Sequence, residues 1–247
     1  MTTKHATGLL PLDLPDDERV RRSLRDAGAL AALGLIQWPW LLRSLYGGTA
    51  ESKRALLGRL ALPADALPNL GSWKADTFFL HRLVDVIEEL RPQVVVELGS
   101  GATSLVIARA LEANGGGRLY SYDQHRPFLA EVAGWLAEHG LEAEFNHAPL
   151  ARQEGWAGAW YQLSVVPPRI DLLVIDGPPW TVHPLVRGAA ERLFGRLAPG
   201  GAVLLDDAAR PGERAIARGW RARWPEIAFS FEGGGSKGVL VGRRLAF

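Results

Sequence analysis

Cysteine is absent from the sequence, which excludes a disulfide, a cysteine-ligated zinc or iron–sulfur site and a thiol nucleophile. An excess of either charge is absent too. With 28 Lys and Arg against 27 Asp and Glu, the formal net charge is +1. That balance gives no general pull toward nucleic acid or an anionic membrane, so no nucleic-acid partner is expected. Long apolar runs are missing as well. The longest, Ala27 to Leu42, is shorter than a bilayer-spanning helix requires and carries Gln37 and Pro39, so no membrane span is expected. Met1 to Leu10 have neither the apolar core nor the small-residue cleavage site of a secretory leader, and with the missing cysteine this favours a cytoplasmic location. What remains, 247 residues with 47% hydrophobic and 22% charged, is the composition of an ordinary soluble α/β domain with an extension.

The chain is organised around Val94-Val95-Val96-Glu97-Leu98-Gly99-Ser100-Gly101-Ala102-Thr103-Ser104. Three consecutive β-branched residues suit a strand buried on both faces. Gly99 and Gly101 let the following loop turn sharply and bring its N–H groups close to a ligand. Thr103 or Ser104 can then cap a helix running to about Ala113, whose positive end would meet that ligand. Glu97 stands at the carboxyl end of the strand, where a carboxylate needs a partner.

In chain order, Pro15-Asp16-Asp17-Glu18 reads as a helix start with Val20, Leu24 and Leu30 to Leu33 behind it, which predicts a helical N-terminal extension over 1–71. Trp38, Trp40, Leu41 and Leu45 around Pro39 fit a helix packed on the domain, a lid over a ligand or a surface anchor. Leu62 to Leu70 reads as a connection. Phe79, Leu80, Leu83, Val84, Ile87 and Leu90 form the stripe of a helix that starts at Asp76 and stops at Arg91-Pro92. Further strands are predicted over Arg118 to Tyr122, Glu142 to His147, Ile170 to Ile175 and Ala202 to Leu205, with helices over Phe128 to His139, Val186 to Leu197 and Arg214 to Arg223. Trp156 to Val166 reads as irregular. Ile227 to Phe231 and Lys237 to Leu245 are joined by so short a link that they should pair antiparallel. Several strands end in acids: Asp123, Asp176 and Asp206-Asp207.

Glu97-Leu98-Gly99-Ser100-Gly101, Tyr122-Asp123, Ala148-Pro149-Leu150, Asp176-Gly177-Pro178-Pro179, Leu197-Ala198-Pro199-Gly200-Gly201 and Asp206-Asp207 together resemble the class I S-adenosylmethionine-dependent methyltransferases, in particular a bacterial branch. The resemblance covers residues 72–247 and implies a Rossmann-like, doubly wound, mostly parallel seven-stranded sheet with an antiparallel last strand. It implies that Glu97, Gly99, Ser100, Gly101 and Ser104 approach the methionine part of S-adenosylmethionine, that Asp123 holds its ribose, and that Ala148, Pro149 and Leu150 lie near its adenine, with Asp176 also at the cofactor. The implied reaction is methyl transfer to a small-molecule acceptor. O-methylation is expected, although no residue separates oxygen from nitrogen or carbon as the accepting atom.

The chemistry of the acids agrees with that cofactor, since sulfonium and ammonium groups suit carboxylates at strand ends whereas a pyrophosphate would be repelled by Glu97 and Asp176. A nicotinamide-dependent oxidoreductase also expects an acid at Asp123, but Ser104 occupies its third glycine position. A non-catalytic cofactor binder is the other alternative. Candidate catalytic residues are Asp176 and His183, with His125 and His147 nearer the cofactor edge. Asp176, Asp206 and Asp207 match the strand ends from which metal-dependent relatives of the catechol O-methyltransferase kind hold Mg²⁺ or another divalent cation. Those relatives carry a Lys shortly after the fourth-strand acid, where Pro179 and Trp180 stand here; the competing reading is that Asp207 caps a helix or pairs with Arg210. Trp73, Trp156, Trp160, Tyr161 and Trp180 are expected on loops that would stack an aromatic acceptor, and a homodimer is one assembly open to the chain.

Overall fold

A computed structural model describes residues 24–246 except Trp73, Ala157 and Pro184. The expected helix start at Pro15 to Glu18, Val20, the Met1 to Leu10 segment and Trp73 lie outside the described residues. The chain begins with helices α1 (Leu24–Arg43), α2 (Ala50–Arg59) and α3 (Thr77–Leu90). Then follow strand β1 (Val94–Leu98), helix α4 (Ala102–Ala113), strand β2 (Arg118–Asp123), helix α5 (Arg126–Glu138) and strand β3 (Glu144–His147). A small hairpin, β4 (Leu150–Arg152) and β5 (Ala159–Tyr161), precedes β6 (Ile170–Ile175), a 3₁₀ helix (Val186–Arg196) and β7 (Leu197–Leu205). Helix α6 (Pro211–Arg223) and strands β8 (Ile227–Glu232) and β9 (Val239–Arg244) complete it.

The main sheet has seven strands in the order β3-β2-β1-β6-β7-β9-β8, and only β9 runs antiparallel to its neighbours. This is the mostly parallel sheet with an antiparallel last strand that the resemblance implies. Its central strands are apolar on both faces, with period two. Val95, Leu172, Val174, Leu204 and Val241 pack under α2 to α5. Val96, Leu98, Leu173, Ile175, Leu205 and Leu240 pack on the opposite side with Phe194 and Trp220.

Helix α3 starts where Asp76 accepts the N–H of Phe79 at 2.9 Å, and it ends at Arg91 in the left-handed region (φ 46°) just before Pro92. Helix α2 falls within the helical extension expected over 1–71 but is not marked as a separate element by the sequence, because its buried stripe is only Leu56 and Leu57, closed by Leu60 just beyond it. These leucines nonetheless join the core beside Phe79 and Leu83. Two further expectations are corrected. Val186–Arg196 is 3₁₀ rather than α: Gly188 and Gly195 weaken the helical preference, and Gly188 lies so tightly under Trp156 that a Cβ would come within 2.9 Å of its ring. The stretch from Trp156 to Val166 is not wholly irregular, since β5 pairs antiparallel with β4 and buries Trp160 and Tyr161.

Among the described residues no helix is long and apolar enough to cross a membrane.

Candidate functional site

The connections from β1 run toward β2 and β3 on one side, while β6 and β7 continue on the other, so the carboxyl ends of β1 and β6 frame the crevice where such sheets bind ligands. The glycine loop after β1 and the Asp176 loop after β6 are joined there. Leu98 O accepts the N–H of Asp176 at 2.9 Å and that of Gly177 at 2.6 Å, and the Gly99 N–H donates to Tyr122 O at 2.8 Å. Gly99 has φ +94°, and a Cβ on it would lie 2.6 Å from the Gly177 nitrogen, so only glycine fits.

Glu97 is fully buried at the floor of this crevice. Its Oε2 accepts from Ser104 Oγ at 2.6 Å and from Ser121 Oγ at 2.5 Å, and Ser121 in turn accepts from Ser100 Oγ at 2.7 Å. Burial pushes the Glu97 carboxyl up to about 7, against the Ser104, Ser121 and Thr103 hydroxyls that favour the ionised form. Glu97 Oε1 is buried with no hydrogen-bond partner. The cap of α4 is not the one expected at its first residue. Gly101 occupies that place, and Ser104 reaches back to accept its N–H at 3.0 Å. Ser104 thereby ties the glycine loop to Glu97.

Asp123, at the end of β2, is nearly buried. One carboxylate oxygen accepts the Ser100 N–H at 3.2 Å and the other the His125 N–H at 2.8 Å, so it fixes the glycine loop from the side. His125 caps α5 by accepting the Phe128 N–H at 3.1 Å. His147 Nε2 donates to Gln124 O at 3.0 Å while its Nδ1 accepts from Arg126 at 3.1 Å. Ala148 is buried and donates its N–H to Asp123 O at 2.9 Å, Pro149 is exposed, and half-buried Leu150 opens β4. Of these three residues, Ala148 is the one bonded to Asp123.

On the β6–β7 side, oxygens of Asp176, Asp206 and Asp207 lie within 4.8 Å of one another. They are not alone. Arg187 donates to Asp207 Oδ2 at 2.9 Å and to Asp206 O at 3.2 Å, bonds the Asp176 backbone oxygen and sits 3.5 Å from Asp176 Oδ1. Arg210 pairs with Asp207 Oδ1 at 2.8 Å, and Lys237 lies 3.4 Å from Asp206 Oδ2 and 3.5 Å from Asp207 Oδ1. Burial would raise the Asp207 carboxyl, but Arg210, Lys237 and Arg187 outweigh it and hold it below the usual carboxylate range. Asp206 and Asp176 are raised, chiefly by burial. Glu213 is also buried and lies in the field of Arg210 and Arg187. The pairing of Asp207 with Arg210 that the sequence left open is present.

Other expected residues are spread around this edge. The His183 ring packs against Gly158, and its Nδ1 accepts the Leu185 N–H at 3.3 Å. Trp160 and Tyr161 are in β5, and Trp156 is half-buried over Gly188, so these aromatics do not all stand on open loops. Trp180 is half-buried, and its ring lies 3.4 Å from where a Cβ on Gly34 of α1 would be. Helix α1 also reaches Gly235 O through Arg43 at 3.4 Å, so it spans from the Asp176 loop to the loop before β9. Between these anchors Gln37 is fully buried with neither amide atom hydrogen-bonded. Sequence reasoning missed Arg187, Lys237, Ser121 and Gln37. Only their topological placement marks them.

Residues 96–208 match the family model described as a methyltransferase domain. No curated protein matches the chain by sequence. Among solved structures, an O-methyltransferase from Bacillus cereus in complex with SAH (S-adenosylhomocysteine) is 16% identical, with TM-score 0.54 over 80% of this chain and 92% of that one. A methyltransferase from Geobacter sulfurreducens is 20% identical, with TM-score 0.52 over 79% and 87%. The O-methyltransferase TomG from Streptomyces achromogenes, involved in tomaymycin synthesis and in complex with SAM (S-adenosylmethionine), is 15% identical, with TM-score 0.52 over 92% and 100%. The chain therefore has the fold of these methyltransferases and carries, over residues 96–208, the sequence pattern of a methyltransferase domain.

Proposed function

We propose that this protein is an S-adenosylmethionine-dependent methyltransferase of class I that methylates a small-molecule acceptor, at oxygen. The observation that carries the reading is the crevice between β1 and β6: a glycine loop closed against Gly177, with the unpaired Oε1 of buried Glu97 beneath it and Asp123 beside it. A buried carboxylate oxygen without a partner is costly unless a ligand completes it, and here the complement is a cation. A pyrophosphate would meet like charge instead. The fold shared with O-methyltransferases in complex with SAH and SAM supports the same reading.

In this reading Glu97 Oε1 receives an N–H of the cofactor's ammonium, Asp123 accepts from the ribose hydroxyls, and Ala148, Pro149 and Leu150 border the adenine. Residues 72–247 form the catalytic unit, and α1 of the preceding extension closes the acceptor side above Trp180. When bound, S-adenosylmethionine supplies an electrophilic methyl group. The chain has to align the acceptor and remove one proton. Asp176, raised by burial and only loosely paired with Arg187 at 3.5 Å, is the better-placed proton acceptor, with His183 the alternative.

The acid cluster does not fit a divalent ion. Each candidate ligand already faces a buried base: Arg187 lies against Asp176 and Asp207, Arg210 against Asp207, and Lys237 against Asp206. A further double charge would be buried without counterions. Transfer is therefore assigned to positioning and proton removal without a metal. Calorimetry with SAH tests the function: the reading predicts binding at roughly micromolar affinity. Binding of NADH with no binding of SAH would hand the fold to the oxidoreductase alternative.

A further inference from the structure

Tyr161 ends β5, and its side chain is fully buried, yet its hydroxyl has no hydrogen-bond partner. The hydroxyl stands at the junction of the two ligand-binding loops. A Cβ on Gly177 would strike it, and the same point lies 2.8 Å from Gly99 Cα. Its position is set by the β4–β5 hairpin, where Tyr161 pairs with Leu150, and Gln153 Nε2 donates to Tyr161 O at 3.4 Å. The charges around it are the carboxylates of Asp123, Asp176 and Glu97 and the guanidinium of Arg187. Burial first, and then Asp123, holds the phenol well above its ordinary range, so it is a neutral hydroxyl and not a base.

A phenylalanine would fill the same space without burying an unpaired polar atom, so the hydroxyl lowers the stability of the empty protein. Such an atom is explained when a ligand completes its bond. Resting on the assignment of this crevice to S-adenosylmethionine, the geometry points to Tyr161 as a cofactor-positioning residue: its phenolic oxygen, an unpartnered acceptor at the Gly99–Gly177 junction, takes an N–H from the ammonium at the amino-acid end of the cofactor. Glu97 Oε1, the other unpaired oxygen of the crevice, takes a second. The hairpin carrying Tyr161 thereby joins the nucleoside side of the site, through Leu150, to the amino-acid side.

The test is Tyr161→Phe in the full chain, measured by calorimetry with SAH and with 5′-methylthioadenosine, which lacks the amino-acid end, and by thermal melting. SAH should bind about 10- to 150-fold more weakly, the size of one hydrogen bond made to a charged group. Binding of 5′-methylthioadenosine should be unchanged, and Tm should hold or rise. An SAH affinity within twofold of wild type would overturn the inference. So would a fall in Tm, which would mean that the hydroxyl has a structural partner, or an equal loss for both ligands. Failure of the wild-type protein to bind SAH would remove the cofactor assignment itself, and that outcome is read independently of the variant.

Discussion

Glu97→Gln should make the protein more stable and less able to bind its cofactor. In the folded chain the Glu97 carboxyl is raised from 4.5 to about 7, mainly by burial, with a further push from Asp176. The unfolded chain therefore releases this proton more readily than the folded one. Stability falls as pH rises from about 4.5 to about 7 and is flat above, where the ionised side chain costs about 3 kcal/mol. Glutamine keeps an oxygen for Ser104 and Ser121 and removes the charge. At pH 8 the variant should gain up to about 3 kcal/mol, a rise in Tm of roughly 5–10 °C for a chain of this size, and the gain should vanish near pH 5. Cofactor binding moves oppositely. The wild type binds a cation through ionised Glu97, so its Kd for SAH should rise about tenfold per pH unit below 7. The variant should bind about 10- to 150-fold more weakly at pH 8 without that slope. Melting curves at pH 5 and 8 with calorimetry over the same range check both halves. A variant less stable than wild type at pH 8, or one that keeps the pH slope, would refute the reasoning.

Asp123→Ala should weaken SAH binding by about 2–4 kcal/mol, since a charged acceptor for the ribose hydroxyls is lost. An unchanged Kd with a native melting curve would place the ribose elsewhere. Arg187→Met should destabilise the fold by about 3–5 kcal/mol, because it strips Asp207 of one buried partner and Asp176 of its nearest cation. A Tm within 1–2 °C of wild type would show that the network tolerates its loss. Chelator should leave both Tm and turnover unchanged, and millimolar Mg²⁺ or Ca²⁺ should not raise Tm; a saturable rise would restore the metal reading by mass action.

The sequence by itself determined the seven strands of the main sheet from Val94 onward, the helices between them, the glycine loop and the acids at the strand ends. The reason is that each is local: three β-branched residues make a buried strand, Gly99 makes the turn that Gly177 crowds, and Glu97, Asp123 and Asp176 terminate strands that parallel pairing brings to one edge. Even the antiparallel last strand followed from a short link between Glu232 and Val239. What the acids do was decided only by the tertiary structure. Asp176, Asp206 and Asp207 look alike in sequence, but Arg187 arrives from the 3₁₀ helix and Lys237 from the loop before β9, and burial makes their charges count where water would have screened them. The same holds for Tyr161 and Gln37. One reads as part of an irregular aromatic stretch and the other as a polar residue in an apolar helix, and only the pairing of β5 with β4 and the docking of α1 on Trp180 bury their polar atoms unpaired at the carboxyl edge.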